Sequence, residues 1–191
     1  DIVLLQPEAD SRFLGGLRNA LTFLANSRRD IEVRVIVGTF PPNGSDPMPF
    51  LRELVRDLGQ VPDSGLRLFV GTTRSCDGEP RCGELTWNHA KVVAIDGKTA
   101  LVGGHNMWTN DYLLAAPVHD LSMVLSGPAA VDAHRYADAL WQFVCQRPAD
   151  DGLNQSFGYS LRTRDIVRGC LPAITLPAAG PPAKGGVSVL S

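Results

Sequence analysis

The 191-residue chain is long enough to bury one hydrophobic core, and its 44% hydrophobic content is typical of a globular protein. Its formal net charge of -2 disfavours a protein that tracks nucleic acid, because that requires clustered lysine and arginine. The sequence shows no run of about 18 apolar residues, which a membrane span requires, and no charged-then-apolar leader, so we expect a mature or trimmed segment with one compact domain and a tail.

The first 38 residues predict a strand, a helix and a second strand. The opening run DIVLL is typical of a buried strand, and IEVRVIVG at residues 31–38 predicts another. Between them, from Ser11 onward, apolar side chains recur at helical spacing, at Phe13, Leu14, Leu17, Leu21 and Leu24. This order implies a parallel strand pair with a right-handed crossover.

The middle of the chain continues the alternation, so the predicted fold class is α/β. A Pro/Gly-rich loop at residues 40–49 precedes a predicted helix at 50–59 and a third strand at 66–71. Residues 118–127 predict a further strand. A helix is predicted at 127–145, with an apolar side made by Val131, Tyr136, Leu140 and Phe143. From Pro148 onward the sequence predicts loop.

The four cysteines form two local pairs, Cys76 with Cys82 and Cys145 with Cys170, and neither spacing suits zinc. Two disulfides are the favoured interpretation. Disulfides persist in oxidising compartments, so the pattern predicts a secreted protein. The alternative is four unpaired, buried thiols in a cytosolic protein.

The segment HAKVVAIDGKTALVGGHN, residues 89–106, predicts a β-hairpin around Asp96-Gly97, with both turn residues at positive φ. Pairing outward from Ile95 and Lys98 gives three facing pairs: Lys91 with Val102, His89 with Gly104, and Trp87 with Asn106. Facing residues share a face, so His89, Lys91 and Asn106 are expected on one side of the hairpin. Gly104 is expected to leave open space beside the imidazole.

An imidazole, an ammonium and a carboxamide around such a gap predict a seat for a phosphate group. Lys91 and Asn106 would donate to the phosphate oxygens, and neutral His89 would attack phosphorus or move a proton. This chemistry needs no cofactor. We find no cluster of carboxylates in the sequence suited to magnesium or calcium, so no metal is expected.

A catalytic histidine needs its second ring nitrogen held, and Asp120, in the middle of the predicted strand 118–127, is the candidate to hold that of His89. The alternative is an edge-strand residue facing water. Asp96 is predicted to be structural because the turn explains it. The remaining histidines are predicted to be packing or surface residues outside the site: His105, on the face opposite His89, His119 and His134.

The residues His89, Lys91, Asp96, Gly103, Gly104 and Asn106 match the HxK, aspartate and GG/GSxN signature of the phospholipase D superfamily at every spacing. The sequence resembles secreted, streptomycete-type members over essentially its whole length, including WNHAKVVAIDGKTALVGGHNMWTNDYL, HDLSMVLSGPAA, LWQFVCQ and GCLP. The resemblance implies a two-lobed α/β fold, with one HxK motif from each lobe and a phosphohistidine intermediate.

By this resemblance His89 is the expected nucleophile, Lys91 and Asn106 bind phosphate, and Asp120 orients His89. Substrate binding is expected at Gly103, Gly104, Trp87 and Trp108. Gly104 stands where many relatives have serine, so a hydroxyl contact to phosphate is absent. Cys145 and Cys170 resemble the disulfide pair of the family, whereas Cys76 and Cys82 are an addition that is expected to staple the loop before the motif.

The resemblance also implies half an enzyme, because only one HxK motif is present. Residues 1–147 are expected to form the lobe with the first motif, and 148–191 a disulfide-tethered loop and a Pro/Gly-rich linker toward a second lobe. That lobe is expected as a separate chain or the remainder of the same precursor; pairing of two copies is the alternative.

The predicted function is that of a secreted phospholipase D, acting on phospholipid at a membrane surface by hydrolysis or by transfer of the phosphatidyl group. Two alternatives stand beside it. One is a metal-independent endonuclease that acts on DNA as a homodimer, although the slight acidity and the disulfides disfavour nucleic acid as a partner. The other is a lobe without catalytic activity that binds lipid.

Overall fold

The computed structural model describes residues 1–4, 11–38, 46–58, 61, 63–74, 88–106, 119–147, 154–170, 175–176 and 188–190. They contain nine strands and three helices, in the chain order β1 Ile2–Leu4, α1 Ser11–Asn26, β2 Asp30–Gly38, α2 Met48–Val55, β3 Gly65–Thr73, β4 Val92–Ile95, β5 Thr99–Gly103, β6 Ser122–Ser126, α3 Pro128–Cys145, β7 Gln155–Ser160, β8 Ile166–Arg168 and β9 Ser188–Leu190. The predicted α/β class is confirmed.

All nine strands join one mixed sheet in the order β8-β7-β3-β2-β1-β4-β5-β6-β9. The strands β1, β2 and β3 are parallel, as the predicted strand, helix, strand unit requires. The other pairings are antiparallel, and β4 lies beside β1. The start of β4 therefore lies at the same end of the sheet as the carboxyl ends of the parallel strands.

The helices α1 and α2 cover one face of the parallel strands. Their buried side chains, among them Leu21, Leu51 and Leu54, pack on apolar residues of β1, β2, β3 and β7. The helix α2 begins two residues before its predicted start and ends at Val55, ahead of the predicted end. Pro49 fits this earlier start because a proline in the first turn lacks only an N–H that has no helical partner there.

The helix α3 covers the opposite face of the sheet. Ala130 and Ala137 pack on small residues of β4 and β5, and Trp141 packs between Ile36 and Phe69. The predicted apolar side of this helix is therefore partly wrong, since Tyr136 is 45% exposed and the buried side is centred on alanine and tryptophan. Small alanines bring the helix close to the sheet, and hydropathy does not show this.

A buried polar network joins β2, α3 and the hairpin. The Arg34 guanidinium donates to Asp1 Oδ1 and to Asp138 Oδ1, each at 2.6 Å. Nδ1 of buried His134 accepts a hydrogen bond from the Gly97 N–H at 2.9 Å, and its Nε2 lies 3.1 Å from Asp1 Oδ2. Burial, together with neighbouring positive charge, lowers the pKa of His134 from 6.5 to about 4, so the ring is neutral at pH 7. Its prediction as a packing histidine is confirmed.

The hairpin turn has the predicted conformation, but the strand register differs from the prediction. Asp96 and Gly97 have φ of 51° and 63°, and the Lys98 N–H donates to Ile95 O at 2.9 Å. Lys98 is then left out of the pairing, and Ile95 faces Thr99. Every facing pair shifts by one residue, which the two-residue turn rule does not anticipate.

The prediction of loop after Pro148 is wrong at Gln155–Ser160, Ile166–Arg168 and Ser188–Leu190, which form β7, β8 and β9. The strand β7 pairs with β3, and β8 pairs with β7. The sequence QSFGYS has few apolar residues, and Gly158 leaves space that the Phe69 ring fills. The domain boundary at residue 147 stays a prediction.

A disulfide joins Cys145, at the end of α3, to Cys170, just after β8, with the two Cα atoms 5.6 Å apart. This pair is confirmed as predicted. The predicted pair of Cys76 and Cys82 lies outside the described residues. Within the helices that the structure describes, none is long and apolar enough to cross a membrane.

Candidate active site

Three chain segments meet at one end of the sheet. Because β5 pairs with both β4 and β6, the residues before β4, after β5 and before β6 gather there. Together with Gly103, the last residue of β5, these segments carry the predicted site residues His89, Lys91, Gly104, Asn106 and Asp120. Asp96 lies in the turn at the opposite end of the hairpin, which agrees with a structural position for this residue.

A turn before β4 places His89 at the surface. Asn88 is buried, at 6% exposure, and its Oδ1 accepts a hydrogen bond from the Ala90 N–H at 3.2 Å. The His89 side chain between them is exposed. Asn88 Nδ2 is buried and has no hydrogen-bond partner in the described part of the chain.

The Lys91 ammonium lies directly against His89. Its Nζ donates to the backbone oxygen of His89 at 2.7 Å and lies 2.8 Å from His89 Nδ1. An ammonium only donates, so the ring nitrogen is the acceptor in this contact. Lys91 is 9% exposed, and burial lowers its pKa, whereas the negative charge of Asp120 raises it.

The open space predicted at Gly104 is filled by Asp120. A Cβ built on Gly104 would overlap Asp120 Oδ1 and would lie 2.8 Å from its Cγ. Asp120 also lies two residues before β6, and not in the middle of a strand as predicted. The prediction failed because the apolar residues that flank Asp120 suggested a strand that begins at residue 118, four residues before the one that forms.

The shifted register places Lys91 opposite Gly103, and not opposite Val102. The Gly103 N–H donates to Lys91 O at 3.2 Å, and Gly103 also faces Ser122 of β6. Ser122 Oγ in turn lies 2.7 Å from His105 Nδ1. His105 therefore contacts a residue that borders the motif glycine, and its prediction as a residue outside the site stays a prediction.

His105 and Ser122 were not predicted as site residues. The position of His105 between Gly104 and Asn106 was an available signal, since the motif fixes both neighbours. Ser122 carries no comparable signal. A serine in an ordinary strand sequence gives no indication that it lies over a motif glycine.

Strand pairing does not assign a common face to all three predicted phosphate-binding side chains. His89 precedes β4 and Asn106 follows β5, so both lie beyond the paired residues. Asn106 is half-buried, with a buried Oδ1. Trp87 and Trp108 lie outside the described residues. Among the side chains described, no group of three His, Cys, Asp or Glu is arranged to hold a metal ion.

Comparisons with known proteins add an independent observation. Phospholipase D of Streptomyces antibioticus is 35% identical to this chain over 153 residues, which cover 78% of the chain and 26% of that protein. The chain therefore spans about a quarter of the length of this relative. No protein-family profile matches the chain.

A search of solved structures finds NucT from Helicobacter pylori, with a TM-score of 0.37 and 13% identity over 71% of this chain and 93% of NucT. The complete HxK and GG/GSxN motif and the 35% identity define the class: the chain belongs to the phospholipase D superfamily.

Proposed function

We propose that this chain is one lobe of a secreted phospholipase D that cleaves glycerophospholipid phosphodiesters through a phosphohistidine on His89. The observation that carries the proposal is the contact between a buried ammonium, Lys91, and an exposed imidazole, His89. A fixed cation beside an accessible nucleophile suits attack on an anionic ester, because it offsets the repulsion between the nucleophile and the phosphate.

The first step would exchange one Lys91 contact for another. Nζ now donates to His89 Nδ1, and a phosphate oxygen is a stronger acceptor than a neutral imidazole. When Nζ turns to the phosphate, a ring nitrogen of His89 is released to attack phosphorus. A P–N bond forms, the P–O bond to the headgroup breaks, and the headgroup oxygen takes a proton from an acid.

The second step would release the phosphatidyl group. Water, or another alcohol, gives its proton to the base that the acid of the first step has become and attacks phosphorus, the P–N bond breaks, and the electron pair returns to the imidazole. Water gives phosphatidate, and an alcohol gives an exchanged phospholipid. Asp120 would orient His89, while the backbone at Gly103 and Gly104 would border the bound phosphate.

Two carboxamides would supply neutral donors to the phosphate. Asn106 follows the glycine pair of the motif and is half-buried at the same end of the sheet. Asn88 precedes His89 in the sequence, and its buried Nδ2 makes no hydrogen bond to the described residues. A phosphate oxygen within its reach would remove the free-energy cost of leaving this donor unsatisfied, about 1–3 kcal/mol for such a group. Trp87 and Trp108 would wall the site.

The acid would come from a second HxK lobe, because one motif supplies one imidazole. That lobe would be a separate chain or the remainder of the same precursor. The disulfide between Cys145 and Cys170 supports an oxidising, extracellular location. The relative named above is a phospholipase D, which favours a phospholipid at a membrane surface over DNA.

The test combines the full chain with a polypeptide that carries a second HxK motif and phosphatidylcholine vesicles, and measures released choline. We expect release that depends on both polypeptides, that is lost in His89→Ala, and that persists in the matched control His119→Ala. His119 is an exposed histidine from the same end of the sheet. Choline release with His89→Ala would remove His89 from the mechanism.

The same mixtures are offered plasmid DNA. Cleavage of DNA by the chain alone, without choline release, would favour the homodimeric endonuclease. Vesicle binding without turnover in any mixture would favour a lobe that only binds lipid. We expect EDTA to leave choline release unchanged, and complete, reversible inhibition would contradict the metal-free scheme.

A further inference from the structure

We propose that His105 and Ser122 are positioning residues, which hold the chain after β5 so that Asn106 lies at the phosphate site. The inference deepens the proposed function and rests on it for the role of Asn106 as a donor to phosphate. Neither positioning residue has to contact the substrate. The feature that carries the inference is their contact with each other, because it joins the residue before Asn106 to a neighbouring strand.

The backbone at the end of β5 is attached on both sides. The Gly103 N–H donates to Lys91 O, in the segment before β4, at 3.2 Å. The Gly104 N–H donates in the other direction, to Leu121 O in the segment before β6, at 3.0 Å. These two hydrogen bonds fix the direction in which the chain leaves the sheet toward the residues that follow.

A side chain adds a third attachment at the next residue. His105 Nδ1 lies 2.7 Å from Ser122 Oγ, so the imidazole is attached to the first residue of β6. Asn106 follows directly and is half-buried. A carboxamide binds phosphate only where its N–H groups reach the oxygen atoms, and this depends on the backbone that carries it. The contact of His105 with Ser122 therefore restricts the position of Asn106.

Ser122 is suited to this contact by its place beside the first motif glycine. It faces Gly103 across β5 and β6, and a Cβ built on Gly103 would overlap Ser122 Oγ. The hydroxyl therefore occupies the space that the glycine leaves, and Ser122 is only 8% exposed. A buried hydroxyl without a hydrogen-bond partner costs free energy, and the imidazole of His105 supplies the partner.

The contact does not depend on which form of the imidazole is present. A histidine ring nitrogen donates when it carries a hydrogen and accepts when it does not, whereas a serine hydroxyl can do both. Ser122 Oγ can therefore pair with His105 Nδ1 in either case. This suits a positioning role, which has to be kept whatever the protonation state of the ring.

The first test is NMR relaxation of the Asn106 side-chain amide in the full chain, which needs no turnover. We expect its order parameter to fall in Ser122→Ala and in His105→Leu, and to fall no further in the double variant. His105→Asn, whose side-chain amide can take the place of Nδ1, should restore the parent value. The matched control is Ser126→Ala, an exposed serine at the other end of β6, which should leave it unchanged.

The second test measures kcat and KM for choline release by the assembled enzyme. Ser122→Ala should lower kcat/KM between about 10-fold and about 10²-fold, since a displacement of about 1 Å at an active site can cost the larger amount. In a chain that already carries Asn106→Ala, the same substitution should lower kcat/KM by less than about twofold, because the side chain that it positions is gone. His105→Asn should again restore the parent value.

Two results would overturn the inference. One is an equal loss of kcat/KM from Ser122→Ala with and without the Asn106 side chain, because Ser122 would then act on something else. The other is an unchanged order parameter of Asn106 in Ser122→Ala, in a variant that keeps the thermal midpoint of the parent chain.

The two tests separate this inference from the proposed function. If mixtures with the parent chain release no choline, while the order parameter of Asn106 falls in the variants as expected, only the proposed function is contradicted. If the mixtures release choline and Ser122→Ala releases it as fast as the parent, only the positioning role of His105 and Ser122 is contradicted.

Discussion

The parallel and antiparallel halves of the sheet are built differently. The strands β2 and β3 are packed on both faces, by α1 and α2 on one side and by α3 on the other. The hairpin of β4 and β5 is packed on one face, where Val92, Ala94 and Ala100 meet α3. On the other face Ile95 is 56% exposed and Leu101 is 37% exposed.

The two halves therefore contribute differently: the parallel half provides most of the stability, and the antiparallel half carries the candidate site. The parallel half buries most of the large apolar side chains, and hydrophobic burial is the main stabilising contribution to folding. The candidate site lies at one end of the half that is open on one face, where residues reach substrate without opening a core. Changes in the two halves should therefore affect different measurements.

The largest expected effect is on activity. His89→Ala should lower choline release by the assembled enzyme at least about 10³-fold, because it removes the proposed nucleophile. The side chain is exposed, so the thermal midpoint should stay within the error of the measurement. A large loss of stability in this variant would show that the site and the core are not separate.

The next effect is on stability alone. Trp141→Ala should lower the free energy of unfolding by about 3–5 kcal/mol, since this fully buried ring packs against Phe69 and Ile36. Denaturant unfolding measures the loss. Tyr136→Ala, on the exposed side of the same helix, is the matched control and should cost much less. Equal losses would contradict the described orientation of α3.

A smaller effect is expected on the pH dependence of the free energy of unfolding, through buried His134. Burial lowers the pKa of His134 to about 4, below its value of 6.5 in an unfolded chain. The unfolded state then binds the proton more readily, so this stability is fully present above pH 6.5 and is lost as the pH falls toward 4. The loss would reach up to about 3 kcal/mol at the acid limit.

Urea unfolding of the parent chain and of His134→Gln, between pH 4 and pH 7, measures this effect. The parent should lose more stability on acidification than the variant, because glutamine binds no proton. Parallel curves would mean that folding does not lower the pKa of His134, which would contradict the account of this buried ring.

The smallest effect is expected on the open face of the hairpin. Ile95→Thr keeps a branched residue in the strand and removes little buried surface, so the free energy of unfolding should change by less than about 0.5 kcal/mol. A loss above roughly 1.5 kcal/mol, typical of a buried position, would show that this face is covered in solution.

Much of the parallel half could be predicted from the sequence, because its elements are long and periodic. The helix α1 and the strands β2 and β3 carry enough apolar residues to determine their type. The strands β7 and β8 could not be predicted in this way. Their residues join the sheet through pairing with β3, a contact distant in sequence that leaves little local pattern.

The sequence predicted which motif residues lie close together better than it predicted their geometry. The motif identified His89 and Lys91, but one unpaired residue, Lys98, shifted the hairpin register. The side chain that fills the space at Gly104 could not be predicted, because Asp120 reaches this space from a separate segment. Register and approach between segments depend on backbone geometry, which the motif spacing does not encode.

The central claim is that the His89 imidazole takes up the phosphoryl group. The most direct measurement is mass spectrometry of the assembled enzyme, mixed with a short-chain phosphatidylcholine and quenched at alkaline pH, where a P–N bond to histidine survives. We predict a phosphatidyl adduct on the peptide that contains His89, absent in His89→Ala. An adduct found only on the other polypeptide, with His89 unmodified during turnover, would contradict the account.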